Sequence, residues 1–427
     1  MKALLYKIKN VDYIRLIEIL WCYVISLLAI ISTGSIWSYD DRFSFTESGF
    51  IIYMQQVAML GFFTFLILNR KVFLSSIDKM KILAIGAALY GYSKFAKINQ
   101  NEYETVFMMT IIWLILAFAM LDDKSIIWDA FINVALAIAC ISLVFWIFGS
   151  MIGLIPPSGT TSHSWGSWGD KVNIYYEVYF EGQTHHLTGE YVIVRNTGVF
   201  TEGPMFSAIL SVALAAEVFL KEKFKIWKVA VLSVTILSTM STTGTIVIFL
   251  AVFFKWYSII QNKENSKKQK IVFYSICLAG ALIVGVLFVV KMMTSSGGKS
   301  VNIRYDHLVS CISKFIESPI FGQGYKNIHA ILYESDYFQG LSVGLPYFLA
   351  FGGIILGATI FVPYIFAIIK AVKNKDCRQL FFQTLFLVMF FFTAVSTRGI
   401  LMLYIAYIAI CDYEALPDLN RNTENEV

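Results

Sequence analysis

The sequence predicts an all-α polytopic integral membrane protein with about twelve membrane-spanning helices. Three observations predict it. Of the 427 residues, 57% are hydrophobic and only 15% are Asp, Glu, Lys or Arg, against about 25% charged in an ordinary globular chain. That is too little charge to cover a water-facing surface. The mean hydropathy is +0.67, and the apolar residues gather into runs close to the roughly 20 residues that cross a bilayer as helix. Polar chemistry is concentrated in two long segments, 150–203 and 291–341, which hold His163, His185, His186, His307 and His329, all five histidines of the chain. Soluble enzymes, nucleic-acid-binding modules and disordered scaffolds are excluded by this composition.

The apolar runs fall near residues 16–33, 49–68, 80–93, 105–121, 125–149, 204–220, 226–239, 244–260, 271–290, 342–369, 379–395 and 399–411. With the N-terminus in the cytoplasm, 23 of the 34 basic residues lie inside and 11 outside. This is the bias the positive-inside rule requires, although the outside segments are longer. Both termini are then cytoplasmic, and the net charge of +5 reports orientation rather than an anionic partner. Lys2, Lys7 and Lys9 precede the first run without a small-residue cleavage site, which predicts a retained first helix. The six cysteines are too scattered for a disulfide framework or a CxxC metal pair. The expected organisation is one membrane-embedded domain over 1–427, with extracytoplasmic loops at 150–203 and 291–341 and a polar cytoplasmic tail at 412–427.

Ser238, Thr239, Ser241, Thr242, Thr243 and Gly244 interrupt the stretch 226–260, which predicts two short helices meeting at an outer turn. Ser396-Thr397-Arg398-Gly399 has the same form. Helices of about 13 residues are too short to span unaided, so neighbours or a polar cavity must shield them. In the first loop, a strand over Lys171–Phe180, a turn at Glu181-Gly182-Gln183 and a second run ending at Val194-Arg195 predict a small β-hairpin that delivers Arg195 to the membrane surface. The second loop carries an amphipathic helix over Tyr305–Ile316, followed by Pro319, Gly322 and Gly324.

The most informative string is Arg195-Asn-Thr-Gly198-Val-Phe200-Thr-Glu202-Gly-Pro204, which runs straight into an apolar helix. Pro204 suits the first helical position, and a helix N-terminus attracts anions. An arginine beside it can complete a pyrophosphate site, because its planar fork matches phosphate oxygens. The competing reading is an interfacial arginine reaching for lipid headgroups, with Glu202 capping the helix. Arg304 has the same two readings. Removing a proton from a sugar hydroxyl needs an imidazole or carboxylate, for which Glu202, Asp306, His307 and Asp336 are candidates. His185-His186 is a poor metal pair, since adjacent strand residues point to opposite faces. No metal is expected. Arg398, in an apolar setting, is costly if buried and so is a functional candidate.

These motifs carry a resemblance. Arg-x-x-Gly-x-Phe-x-Glu-x-Pro before a membrane helix resembles the pattern of the O-antigen polymerase and ligase family, the Wzy-type and WaaL-type integral membrane glycosyltransferases. Ser241-Thr-Thr-Gly244-Thr resembles that family's Thr-x-Ser-Arg-Gly helix break, with the arginine missing. Asn302-Ile-Arg304-Tyr305, followed by Ser318-Pro319-Ile-Phe-Gly322-Gln-Gly324-Tyr325, resembles its second-loop arginine and Pro-x-x-Gly-x-Gly segment. Ser335-Asp336-Tyr337, leading into Gly352-Gly353-Ile-Ile-Leu-Gly357, resembles the stretch where the last long loop re-enters the membrane. The matches span about residues 190–360.

The resemblance implies a GT-C-like architecture and a metal-independent glycosyltransferase that needs no cofactor, in the bacterial cytoplasmic (inner) membrane. The reaction it implies joins undecaprenyl- or other polyprenyl-pyrophosphate-linked oligosaccharide repeats into O-antigen of lipopolysaccharide, capsule or exopolysaccharide of the cell envelope. Catalytic roles would fall to Arg195, Arg304, Glu202, His307 and Asp336, and substrate binding to Gly198, Tyr305, Tyr325, Lys326 and Arg398. Partners would be the lipid-linked oligosaccharide, membrane lipid, a chain-length regulator and a repeat-unit flippase, with no nucleic acid. The ligase branch has a histidine where this chain has Ser335-Asp336, which favours a polymerase, while His329 nearby keeps the ligase alternative open. A multi-helix transporter or lipid flippase is the alternative of a different class.

Overall fold

A computed structural model describes residues 13–38, 50–70, 76–95, 102–121, 123–162, 171–186, 192–261, 275, 285, 295–324, 342–393 and 399–410. Among these residues 77% are helical. The helices are α1 (Tyr13–Ile31), α2 (Phe50–Arg70), α3 (Ser76–Phe95), α4 (Glu102–Met120), α5 (Ser125–Phe145), α6 (Gly203–Phe219), α7 (Ile226–Ser238), α8 (Thr242–Gln261), α9 (Ser295–Glu317), α10 (Leu345–Lys373), α11 (Cys377–Phe392) and α12 (Gly399–Ile410). A π-helical turn over Trp146–Met151 prolongs α5. Eleven of the twelve predicted apolar runs coincide with a helix, and the run 271–290 lies largely outside the described residues.

Three helical stretches among the described residues are long and apolar enough to cross a membrane, namely Tyr13–Ile31, Ser125–Met151 and Leu345–Lys373. Along α10, Val362, Ile365, Phe366, Ile369 and Val372 are all exposed, Phe366 by 68%. An apolar stripe of this kind is a liability in water and natural in lipid, so the surface agrees with the composition in pointing to membrane association.

Helix ends fall into two sets. At one end, which we call the loop end, Ile36 N–H donates to the Val199 carbonyl (2.8 Å) and Thr201 N–H to the Gly34 carbonyl (3.2 Å). Here too Ile400 N–H donates to Thr33 Oγ1 (3.2 Å), and Trp146 Nε1 to the Val194 carbonyl (2.8 Å). At the opposite end Lys221 pairs with Asp129, and Lys228 Nζ donates to Asn133 Oδ1 (2.6 Å). Among the helices joined by these contacts, α1 and α5 end at the loop end, α6 and α12 begin there, and α7 begins at the opposite end.

The shortness of some helices has a packing explanation. Every residue of α12 is buried, and so is nearly every residue of α6. α12 packs against α1, α4 and α10, while α6 packs against α5, α7, α8 and α11. A 12-residue helix rises about 18 Å, well short of a bilayer core of about 30 Å. Surrounded by longer helices, it has no need to span.

The first long loop departs from the expected single hairpin. β1 (Gly159–Ser162), β2 (Lys171–Tyr175) and β3 (Tyr179–Phe180) form an antiparallel three-stranded sheet in that order. β4 (Thr184–His186) and β5 (Val192–Val194) form a separate hairpin. The tight turn falls at Tyr176 and Glu177, which take left-handed backbone (φ 51° and 59°), not at Glu181-Gly182-Gln183. Glu181 is instead the hub of a polar cluster: its carboxylate accepts from Ser150 Oγ (2.6 Å), Asn173 Nδ2 (2.7 Å) and Tyr175 OH (2.8 Å). Burial, and then the bond to Glu181, push the Tyr175 phenol up to about 12, so it stays a donor. A turn signal in sequence could not anticipate a half-buried acceptor with three donors.

α9 begins at Ser295, ten residues before the predicted Tyr305. After it, residues 318–324 lie as backbone against a break in α10. Gly353 leaves the helical region (φ 62°, ψ −165°), which frees carbonyls and amides on either side. Segment 318–324 satisfies them: Gln323 and Gly324 N–H donate to the carbonyls of Ala350 (2.8 Å) and Phe351 (2.9 Å), and Ile354 N–H donates to the Pro319 carbonyl (2.8 Å). A side chain at Gly322 would place Cβ 2.3 Å from the Phe351 carbonyl oxygen. The glycines of Pro-x-x-Gly-x-Gly and Gly352-Gly353 are therefore the two halves of one backbone splice.

Candidate functional site

Arg195 is the first residue after β5, and its N–H donates to the Gln183 carbonyl (2.9 Å). The three residues that follow are buried and tied to different elements. Asn196 Nδ2 donates to Ser238 Oγ (2.9 Å), and Thr197 Oγ1 donates to the Phe180 carbonyl (2.6 Å). Gly198, at φ +57°, donates its N–H to Asn196 Oδ1 (3.1 Å), and a Cβ there would meet the Phe206 ring at 2.9 Å. These contacts give Gly198 a role in the turn. The string is thus a strap anchored to the turn that follows α1, to α6, to α7 and to the first-loop sheet.

The strap aims the Arg195 side chain at the interruption between α7 and α8. Arg195 Nε donates to the Thr239 carbonyl at 2.9 Å. Thr239 is the C-cap of α7, and the last carbonyls of a helix carry partial negative charge and lack intrahelical donors. The Ser/Thr-rich break and the arginine motif, separate in sequence, are here one feature: the break exposes the carbonyl that fixes the guanidinium. The other flank of the guanidinium is the start of α6. A Cβ at Gly203 would lie 3.0 Å from Arg195 Nη2, 3.1 Å from Nε and 2.8 Å from the Thr239 oxygen. Only glycine leaves room for this packing.

Glu202 occupies the N-cap position of α6 with extended backbone, but its side chain makes no capping hydrogen bond. Gly203 N–H goes to Gln183 Oε1 (3.1 Å), and Pro204 has none to give. The helix start therefore offers fewer amides to an anion than the sequence suggests, and the positive groups at the site are side chains.

Arg304, on α9, lies close enough for its charge to be felt at Arg195 and for that of Glu202 to be felt at Arg304. On that helix Arg304, His307 and Cys311 share the face turned to the protein, with His307 only 1% exposed, whereas Tyr305 is 69% exposed on the other side. Burial lowers Arg195 to about 10; the Glu202 carboxylate opposes that shift and Arg304 adds to it. Burial also lowers Arg304, again opposed by Glu202. Both guanidinium groups stay cationic at neutral pH, each within the field of one shared carboxylate. Two desolvated cations against one anion leave the pocket electropositive, an arrangement that an anionic ligand relieves.

His307 Nδ1 accepts from Ser342 N–H (3.1 Å) and lies 2.9 Å from Ser342 Oγ. With Nδ1 accepting from an amide, the neutral ring carries its proton on Nε2. That bond couples α9 to the start of α10 and suits a positioning residue better than a base exposed to substrate.

The structure thus puts Arg195 and Arg304 within the electrostatic field of the same carboxylate, Glu202. It puts Gly198 and His307 into supporting positions and turns Tyr305 outward. Tyr325, Lys326, Asp336 and Arg398 lie outside the described residues. Among the described residues no three His, Cys, Asp or Glu side chains gather as metal ligands would. Sequence reasoning missed Gln183, Asn196, Thr239 and Ser342, which hold the site residues. The polar interruption at 238–244 was the one available signal, and it names a region rather than a carbonyl.

No model of a known protein family matches the chain, and no curated protein sequence matches it.

Proposed function

We propose that the protein is an integral membrane glycosyltransferase that polymerises polyprenyl-pyrophosphate-linked oligosaccharide repeats at the outer leaflet of the cytoplasmic membrane. The observation that carries this reading is the convergence of Arg195 and Arg304, from two separate loops, around Glu202 at the loop end of the helices. A hydroxyl of the acceptor sugar attacks the anomeric carbon of the donor glycan. The bond from that carbon to the pyrophosphate oxygen breaks, and the hydroxyl proton passes to a base. Charge builds on the departing pyrophosphate, and two fixed guanidinium groups stabilise it where water is scarce. Electrostatic groups of this kind contribute about 2.7–4 kcal/mol each in the best measured cases.

Glu202 keeps the two cations in register and, with Asp336, is a candidate for the base. Arg195 offers its Nη groups to phosphate oxygens while Nε stays on Thr239. The sugar chains lie over the loops, and the polyprenyl tails remain in lipid.

The test is made in cells. Arg195→Ala or Arg304→Ala, at normal protein level, should leave single-repeat glycan in place of long polymer. Long polymer retained on the lipid carrier would indicate a ligase, and wild-type glycan lengths in both variants would sink the mechanism.

A further inference from the structure

The outward face of α9 is apolar. Tyr305, Val309, Ile312 and Ile316, spaced four, three and four residues apart, form one stripe along the helix, and all four are exposed. The inward face does not draw on them. There Leu308 and Phe315 pack against the core and Cys311 is buried. His307 and Ser310, both polar, are buried on that side as well. A helix that lies between a protein core and water turns its polar residues outward. α9 does the reverse, with histidine and serine inside and an isoleucine-rich stripe outside.

The stripe continues past the end of the helix. Ile354 and Ile355 N–H donate to the carbonyls of Pro319 (2.8 Å) and Ile320 (3.2 Å), which sets Ile320 beside Ile354, and both are exposed. Ile354 heads the apolar stripe of α10. From Ile354 to Lys373 that helix rises about 30 Å, the thickness of a bilayer core. Ile354 therefore stands where hydrocarbon gives way to headgroups at the loop end, and the end of α9 stands with it. We infer that α9 lies in the lipid interface at the loop end, with Val309, Ile312 and Ile316 against acyl chains and the Tyr305 ring at headgroup level. A tyrosine, with an apolar body and a polar tip, suits that level. The second long loop thus contributes a helix that rests on the membrane without spanning it. Arg304, one residue before Tyr305, is held at the height of lipid-borne phosphate. The placement of α9 does not depend on the glycosyltransferase reading.

The experiment is photocrosslinking of the full-length protein in vesicles of one synthetic phosphatidylglycerol. The photoreactive residue p-benzoylphenylalanine replaces Val309, Ile312 or Ile316, one at a time. Exposed Phe366 on α10 is the lipid-facing reference, and exposed Glu222, in the turn between α6 and α7, is the water-facing one. After illumination, mass spectrometry should find protein carrying one phospholipid at the three α9 positions, as at Phe366, and no such adduct at Glu222. Should one variant misfold, the other two give the same test. Three results would overturn the proposal: crosslinks from the stripe to a second copy of the chain, crosslinks from it to residues 325–341 of the same chain, or no lipid adduct at any of the three positions while Phe366 forms one.

Discussion

Arg195 and Arg304 carry the same charge to the same place by different means. Arg195 sits on irregular chain and is fixed by its surroundings: a strap tied to several elements, a helix-end carbonyl on Nε and a glycine beneath the guanidinium. Arg304 sits on a regular helix, where position follows from spacing and from the packing of α9 on α10. The first arrangement fixes the orientation of the fork, and the second fixes the location of the charge. The proposed transfer, which has to hold a leaving group in one pose and also neutralise it, calls for both.

The difference is open to mutation. The largest effect should come from Arg195→Ala, with a loss of polymerising activity of about 10²- to 10³-fold, and Arg304→Ala should fall in the same range. Arg→Lys substitutions sharpen the contrast. Lysine keeps the charge but has no Nε–H to place on Thr239, so Arg195→Lys should lose about 10- to 100-fold, whereas Arg304→Lys should lose less. Equal losses in kcat/KM for the two lysine variants would show that orientation is no more important at Arg195 than at Arg304.

Gly203→Ala tests the seat of the guanidinium without touching it. The added methyl lies 2.8 Å from the Thr239 oxygen and 3.0 Å from Arg195 Nη2, so either the backbone or the arginine must shift. A stability loss of about 1–3 kcal/mol is expected, measured as a lowered Tm, with activity falling further than the Tm change explains. His307→Ala should have the smallest effect on chemistry. It removes an acceptor from Ser342 N–H and should cost about 1–3 kcal/mol of stability, with the pH profile of the remaining activity unchanged. A shifted profile would restore His307 as a base.

Much of this fold was legible in the chain. Helix positions follow from apolar runs, because a bilayer-sized stretch of helix has to look the same whatever it packs against. The α7–α8 break was equally readable, since Ser and Thr compete for backbone groups where a helix pauses. Other features were not. The turn at Tyr176-Glu177 uses residues that rarely adopt left-handed backbone, and Glu181, which follows β3, is committed as the acceptor for Ser150, Asn173 and Tyr175. Gly352-Gly353 lies in an apolar run that the sequence marks only as helix, and it is half of a splice whose other half is Gly322 and Gly324. Within the site, the charged residues were visible as motifs, but their anchors were not. Thr239 acts through a carbonyl, which every residue has, and only the course of the chain decides which one an arginine meets.

The central claim is that Arg195 and Arg304 together drive transfer of glycan from a lipid pyrophosphate. The most direct measurement is elongation of a defined polyprenyl-pyrophosphate-linked repeat unit by the purified protein in vesicles, read as a ladder of products by gel or mass spectrometry. The wild type should build polymer, and the Arg195→Ala and Arg304→Ala proteins, folded and reconstituted to the same level, should leave the single repeat. A wild-type protein that leaves the repeat unit unjoined, or arginine variants that extend it as well as the wild type, would contradict the account.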